Sequence, residues 1–161
     1  VHRQGNGGLY LPAVEHNVKS DPEAAAVVFN SGCPITMVTL DVTVKVTIDR
    51  GHLSQIKSST NPLAKSLSRL TETWWAFLKK DGSPMHDPLA AAVVIWPDLI
   101  ETLQAKVKVE HKGEHTDGQT LVIPSSEGNV LVSTSVDDKR FIRLFMSRIC
   151  SNRFSGVRDA P

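Results

Sequence analysis

The sequence predicts an α/β domain, and three observations carry that prediction. A short helix with strong end signals runs into a β-branched stretch over residues 21–40, "DPEAAAVVFNSGCPITMVTL". A helix followed by a strand bounded by Gly and Pro is half of a βαβ unit. From Arg50 to Lys80 the apolar spacing changes to three and four, the period of a helix. Beyond residue 105, "KVKVEHKGEHTDGQTLVI" alternates about a central turn, as paired β-segments do. One domain over 1–161 is expected, a length that buries a real core.

Taken in order, residues 1–9, "VHRQGNGGL", are Gly-rich and polar and read as a loop. "YLPAVEHNV" is too short and mixed to specify a helix. At "DPEAAAVVFNSGCP", Asp21 is a natural N-cap and Pro22 suits the first helical position, where no N–H is required. Glu23 favours the positive end of the helix dipole, Gly32 suits a left-handed residue, and Pro34 bars continuation. Ile35 to Leu40 reads as a buried strand. Leu53, Ile56, Leu63, Leu67, Leu70, Trp74 and Phe77 define one or two amphipathic helices, broken near Asn61-Pro62. "KKDGSPMH" reads as a polar loop. Pro88 to Ile95 is a small-residue helix, apolar on most sides, which predicts burial. "NVLVSTSVD" is a strand, and "DDKRFIRLFMSRIC" an amphipathic closing helix whose Lys139, Arg140, Arg143 and Arg148 form a solvated face.

Bulk properties exclude several classes. With 18 basic against 17 acidic residues the net charge is +1, so neither nucleic acid nor an acidic membrane surface is an expected partner. Cys33 and Cys150 make neither a disulfide framework nor a metal cluster and read as reduced thiols of an intracellular, cytoplasmic protein. No apolar run approaches the roughly 18 residues that span a bilayer, and no signal peptide opens the chain. The chain opens on Val1 rather than Met, which leaves room for a removed upstream segment.

Three constellations could carry chemistry. In "GSPMHDPLAAAVV", His86 and Asp87 stand at the mouth of an apolar helix. Two readings are open. Asp87 before Pro88 is a good N-cap and His86 a satisfied loop histidine; but helix N-termini also gather anions, metals and catalytic acids. In "PAVEHN", Glu15 and Asn17 would project to one side of an extended segment, with His16 opposite. A carboxylate and an amide so placed can hold a vicinal diol, or form a solvated surface pair. In "TETWWAFLKK", the adjacent Trp74 and Trp75 must face different ways on a helix; either one is core while the other lines a cavity and stacks on a planar ligand, or both are core. His2, His52, His111 and His115 lack metal-ligand spacing. There is no phosphate-binding Gly-rich loop and no Gly-x-Ser-x-Gly elbow.

In order, "PAVEHNVKSDPEAAAVVFNSGCPITMVTLDVT" and "HDPLAAAVVIWPDLI" resemble the inosine-uridine preferring nucleoside hydrolase family, and "VKVEHKGEHTDGQTLV" is similar to its closing β-segments. The resemblance covers roughly residues 5 to 150. It implies an open, mainly parallel sheet with flanking helices and a closing antiparallel β-segment. It implies cleavage of the N-glycosidic bond of ribonucleosides to ribose and free base, with one Ca²⁺ bound. By motif, Glu15 and Asn17 would grip the ribose hydroxyls. Asn6 matches a further ribose-binding Asn across a gap longer than is usual for the family. Trp74 falls where aromatic residues flank the base, His86 would protonate the departing base, and Asp87 would be a calcium ligand.

The departure is as specific as the match. The family opens on a strand followed by clustered aspartates, which supply most calcium ligands and the carboxylate that activates water. This chain has no such motif and resembles the C-terminal half only. His16 stands where the family usually has Phe. A single carboxylate does not satisfy Ca²⁺, which takes 6–8 oxygen ligands. The expectations are therefore a chain inactive alone, a non-catalytic nucleoside- or ribose-binding module, or an interaction piece completed by an N-terminal half or by a homo-oligomer.

Overall fold

The computed structural model describes residues 14–151 apart from His115. In chain order the elements are α1 (His16–Ser20), α2 (Pro22–Phe29), β1 (Ile35–Met37), α3 (Leu40–Thr43), β2 (Thr47–Asp49), α4 (Arg50–Ser58), α5 (Pro62–Leu78), β3 (Gly82–Pro84), α6 (His86–Ile95), a 3-10 turn at Pro97–Leu99, β4 (Ile100–Val109), β5 (Thr120–Pro124), β6 (Val130–Val136) and α7 (Asp138–Cys150). This is the mixed α/β class expected. The chain forms two compact units, Val1–Leu40 with Glu101–Ser135 and Asp41–Ile100 with Val136–Pro161.

The first unit is built on a four-stranded sheet of order β1-β6-β4-β5. β1 runs parallel to β6, with Ile35 opposite Val130 and Met37 opposite Val132. β4 and β5 form the expected antiparallel pair, from Ala105 opposite Pro124 to Val109 opposite Thr120. Side chains alternate across a strand, so Ala105, Val107 and Val109 are buried while Lys106 and Lys108 face out. Val130 and Val132 complete that core, with Phe29, Ile35 and Met37 packed on it. Gly118 takes the turn with φ +81°, where a Cβ would also stand 2.8 Å from Val14 Cγ1. α2 begins as its sequence dictates: Asp21 Oδ1 accepts from Ala24 N–H at 2.9 Å and Pro22 occupies the first turn. The strand expected to reach Leu40 stops at Met37. Thr39 N–H donates to the side-chain hydroxyl of Ser133 on β6 at 2.8 Å, instead of to that strand's backbone.

The second unit is helical around a two-stranded ribbon. α4 carries a capping box: Asp49 Oδ1 accepts from His52 N–H at 3.0 Å, and His52 Nδ1 accepts from Asp49 N–H at 3.3 Å. That backbone bond is the main reason the Asp49 carboxyl sits below its ordinary range. The break at Asn61-Pro62 is real. Asn61 Oδ1 caps α5 at Leu63 N–H, while its buried Nδ2 donates to Ile149 O and Ser151 O, at 3.2 and 2.7 Å. The polar segment expected to be a loop contains β3, which pairs antiparallel with β2 from Thr47–Pro84 to Asp49–Gly82. A Cβ on residue 82 would lie 2.9 Å from Ile48 O, so Gly82 permits this close pairing.

Two expectations for this unit are corrected. α6 is only partly buried: Leu89, Ala92 and Val93 are core, but Val94 is 83 % exposed and Ile95 is exposed as well. The cations of α7 are not simply a solvated face. Arg140 forks onto Asp98 at 2.7 and 3.1 Å, and Arg148 lies over the Trp96 ring at 5.1 Å. Among the described residues no helix is long and apolar enough to cross a membrane.

The Arg140 guanidinium holds the Asp98 carboxyl below its ordinary range. A depressed carboxylate stabilises above its unfolded pKa of about 3.9 and loses that contribution as pH falls through the folded value. Asp98→Asn should therefore melt below the parent chain at neutral pH, with the gap closing below about pH 4. A gap that persists undiminished at pH 2, followed by circular dichroism, would contradict this assignment.

Candidate active site

Of the three groups of side chains that the sequence singles out, two lie in the second unit and one in the first. In the second unit the centre is the start of α6. The helix begins at His86, two residues earlier than Pro88, and its N-cap position is Met85, which offers no side-chain cap. Asp87 is thus not the cap but an exposed acid inside the first turn. Of the two readings of that residue, capping is excluded, and the residual local role is a favourable interaction with the helix dipole.

His86 is held from outside its own helix. Its Nδ1 lies 2.6 Å from the hydroxyl oxygen of Thr43, the buried last residue of α3. The two backbones are tied as well: Val46 N–H donates to Thr43 O at 3.1 Å, and Met85 N–H donates to Val46 O at 2.8 Å. Thr43 carried no recognisable signal in the sequence, because the partners are separated by 43 positions.

The two tryptophans divide between core and surface. Trp75 is 3 % exposed, and its indole N–H donates to Ser83 Oγ at 3.1 Å. Trp74 is 53 % exposed and stacks on Phe77 with centroids 5.9 Å apart. It therefore has an open aromatic face, flanked by exposed Leu70.

In the first unit Glu15 and Asn17 do not lie on an extended strand. Glu15 is the N-cap of α1, and its Oε2 accepts from Asn17 N–H at 2.8 Å and Val18 N–H at 3.1 Å. The "EHNV" segment closes into a five-residue helix because that carboxylate satisfies two otherwise orphaned donors and Val18 turns inward. His16 and Asn17 are exposed. Asn6, His2 and His115 lie outside the described residues.

Among the described residues no group of three or more His, Cys, Asp or Glu side chains converges as a metal site would. Asp87 alone does not provide the oxygens Ca²⁺ needs, so the residues described do not fit a calcium centre by themselves. A separate groove of about 320 Å³ is lined by Arg50, Leu53, Ser54, Lys57, Ser58 and Glu72. Its cations are matched, Arg50 by Asp81 and Lys57 by Glu72.

Comparison with known proteins gives one answer. The family model of the inosine-uridine preferring nucleoside hydrolases matches residues 1–143. The pyrimidine-specific ribonucleoside hydrolase RihA of Salmonella gallinarum is 33 % identical over 151 residues, covering 88 % of this chain and 49 % of the relative. Among solved structures, the plant nucleoside hydrolase PpNRh1 superposes with a TM-score of 0.77 at 25 % identity, over 87 % of this chain and 48 % of that one. A purine-preferring ribonucleoside hydrolase from Gardnerella vaginalis superposes with a TM-score of 0.73 at 32 % identity, over 85 % and 46 %. The chain belongs to the inosine-uridine preferring nucleoside hydrolase family. It spans about half the length of the relatives it matches.

The caps give a direct test of the local assignments. Glu15→Ala removes an N-cap and should cost about 0.5–2 kcal/mol. Asp87→Ala removes only a first-turn charge and should cost less than about 1 kcal/mol. Urea denaturation at neutral pH compares the two, and an Asp87→Ala loss exceeding that of Glu15→Ala would overturn the assignment.

Proposed function

We propose that this chain supplies the ribose grip and the leaving-group acid of a ribonucleoside hydrolase, and that it acts together with further protein that supplies the water-activating carboxylate. The observation that carries this reading is His86: in a chain of this family, it stands at the mouth of α6 with Nδ1 engaged by Thr43. Among the described residues its Nε2 has no hydrogen-bond partner.

The chemistry follows from the bond. When the C1′–N bond breaks, its electron pair leaves with the base and positive charge develops on the sugar. A proton delivered from His86 to a base nitrogen neutralises the leaving group. Water adds to C1′ and gives up a proton to a carboxylate outside this chain. Trp74 offers its open face to the planar base. Glu15 and Asn17 take the ribose hydroxyls, with Asn6 as a third polar contact. Asp87 is the one carboxylate the chain would contribute to a shared Ca²⁺ site.

The surface supports a need for further protein. Val27 and Val28 on α2, Leu70 and Phe77 on α5, and Val94 and Ile95 on α6 are all exposed. Exposed apolar clusters of this kind mark surfaces that another segment covers.

Alone, the chain should release no base from inosine or uridine at a rate approaching the usual 1–10³ per second. Joined in cis to an N-terminal half bearing the aspartate cluster, it should become active. His86→Ala should then impair nucleosides with poor leaving bases most, while Asp87→Ala should impair all of them. Base release quantified by chromatography checks each arm. Turnover by the isolated chain would refute the division of labour. Saturable nucleoside binding with no turnover in the joined protein would favour the non-catalytic binding module instead.

A further inference from the structure

We propose that Thr43 is a positioning residue for His86: its hydroxyl holds the imidazole by Nδ1, so that Nε2 is the nitrogen presented to the departing base. The functional half of this inference rests on the reading of His86 as the leaving-group acid; the positional half does not.

The geometry is over-determined for a surface histidine. An exposed imidazole on the first turn of a helix ordinarily samples several rotamers. This one is anchored at 2.6 Å to a hydroxyl whose residue is 4 % exposed. Thr is β-branched and stiff about χ1, so the hydroxyl is a fixed post rather than a second mobile group. Its backbone is fixed too. The turn from Thr43 to Val46 is closed by Val46 N–H to Thr43 O, and the residue before His86 is bonded to Val46 O. Ring and hydroxyl are thereby referred to the same main-chain position. A histidine bonded at one ring nitrogen works through the other, and the partner sets both orientation and role. Other candidates in this unit carry less. The groove beside α4 has its cations neutralised, and Cys150 is a half-buried thiol pushed up by burial, hence unreactive.

The test begins with ring nitrogens, not activity. The chain is labelled with ¹⁵N-histidine and every variant is held at the same fixed pH. Long-range ¹H–¹⁵N spectra are recorded for the parent, Thr43→Ser, Thr43→Val and Thr43→Ala, with His86→Gln identifying the resonances. The parent and Thr43→Ser should share one His86 Nδ1 position, and both Thr43→Val and Thr43→Ala should move it. Thr43→Ala covers the case in which Val does not fold. Unchanged His86 nitrogens in either folded hydroxyl-free variant would overturn the inference. In the joined, active protein, Thr43→Val should lower kcat on poor leaving bases by about tenfold with KM nearly constant, and Thr43→Ser should restore it. If His86→Ala abolishes turnover but Thr43→Val does not lower it, positioning is refuted. If the nitrogens shift but His86→Ala leaves turnover intact, the acid role of His86 fails and the Thr43 contact stands.

Discussion

The placement of His86 depends on the main chain of one buried residue, Val46. Its N–H closes the turn back to Thr43 O and its carbonyl receives Met85 N–H, at 3.1 and 2.8 Å. With no exposed surface at Val46, neither group has water to fall back on, and a buried backbone group left unpaired costs about 1–3 kcal/mol. The pairing is therefore obligatory, and it sets the register of the β2–β3 ribbon. Thr47 pairs with Pro84 and Asp49 with Gly82, which delivers the chain to α6 at a fixed position. Trp75 braces the same ribbon through Ser83. A segment that looks like polar loop in sequence is in fact the rail along which His86 is set.

α6 shows how local preference and tertiary context divide. Its Ala and Val content makes it apolar on nearly every side, and such a helix is stable only when surrounded. One face is surrounded, by way of Leu89, Ala92 and Val93. The other face leaves Val94 and Ile95 in water, a loss of burial worth about 1.5–3 kcal/mol per large side chain. The same composition that predicts burial thus leaves apolar surface exposed on one side of α6.

Much of the fold was legible from sequence because its signals are local. Asp21-Pro22 and Asn61-Pro62 place helix starts to the residue, since each cap bonds an N–H two or three positions on. The alternation of Ala105, Val107 and Val109 with Lys106 and Lys108 shows which face of β4 is core. What could not be read depends on distant partners or on short-range competition. β3 is three residues long and is a strand only because Ile48 lies beside it. Glu15 reads as extended in sequence because its capping role exists only once α1 closes. Asp87 looks like a cap in sequence, yet the helix starts one residue before it, since Met85 is already held by Val46. Thr43 is invisible as a partner of His86 until the chain between them has folded.

A structural duty for a carboxylate does not remove its capacity to bind ligand. Glu15 directs a single oxygen, Oε2, at both α1 N–H groups. A carboxylate has about four lone-pair sites on two oxygens, so Oε1 keeps its acceptor capacity while Oε2 fixes the side chain. A capped carboxylate is better suited to a diol than a free one, because its rotamer entropy is already lost on folding. The logic for Asp87 runs the other way. It is bound to no donor in its own helix and is exposed, so its charge is held only by the backbone of α6 and by the dipole. Glu15 is an acceptor fixed in place by the helix it caps, whereas Asp87 is an exposed acceptor that no hydrogen bond of α6 fixes.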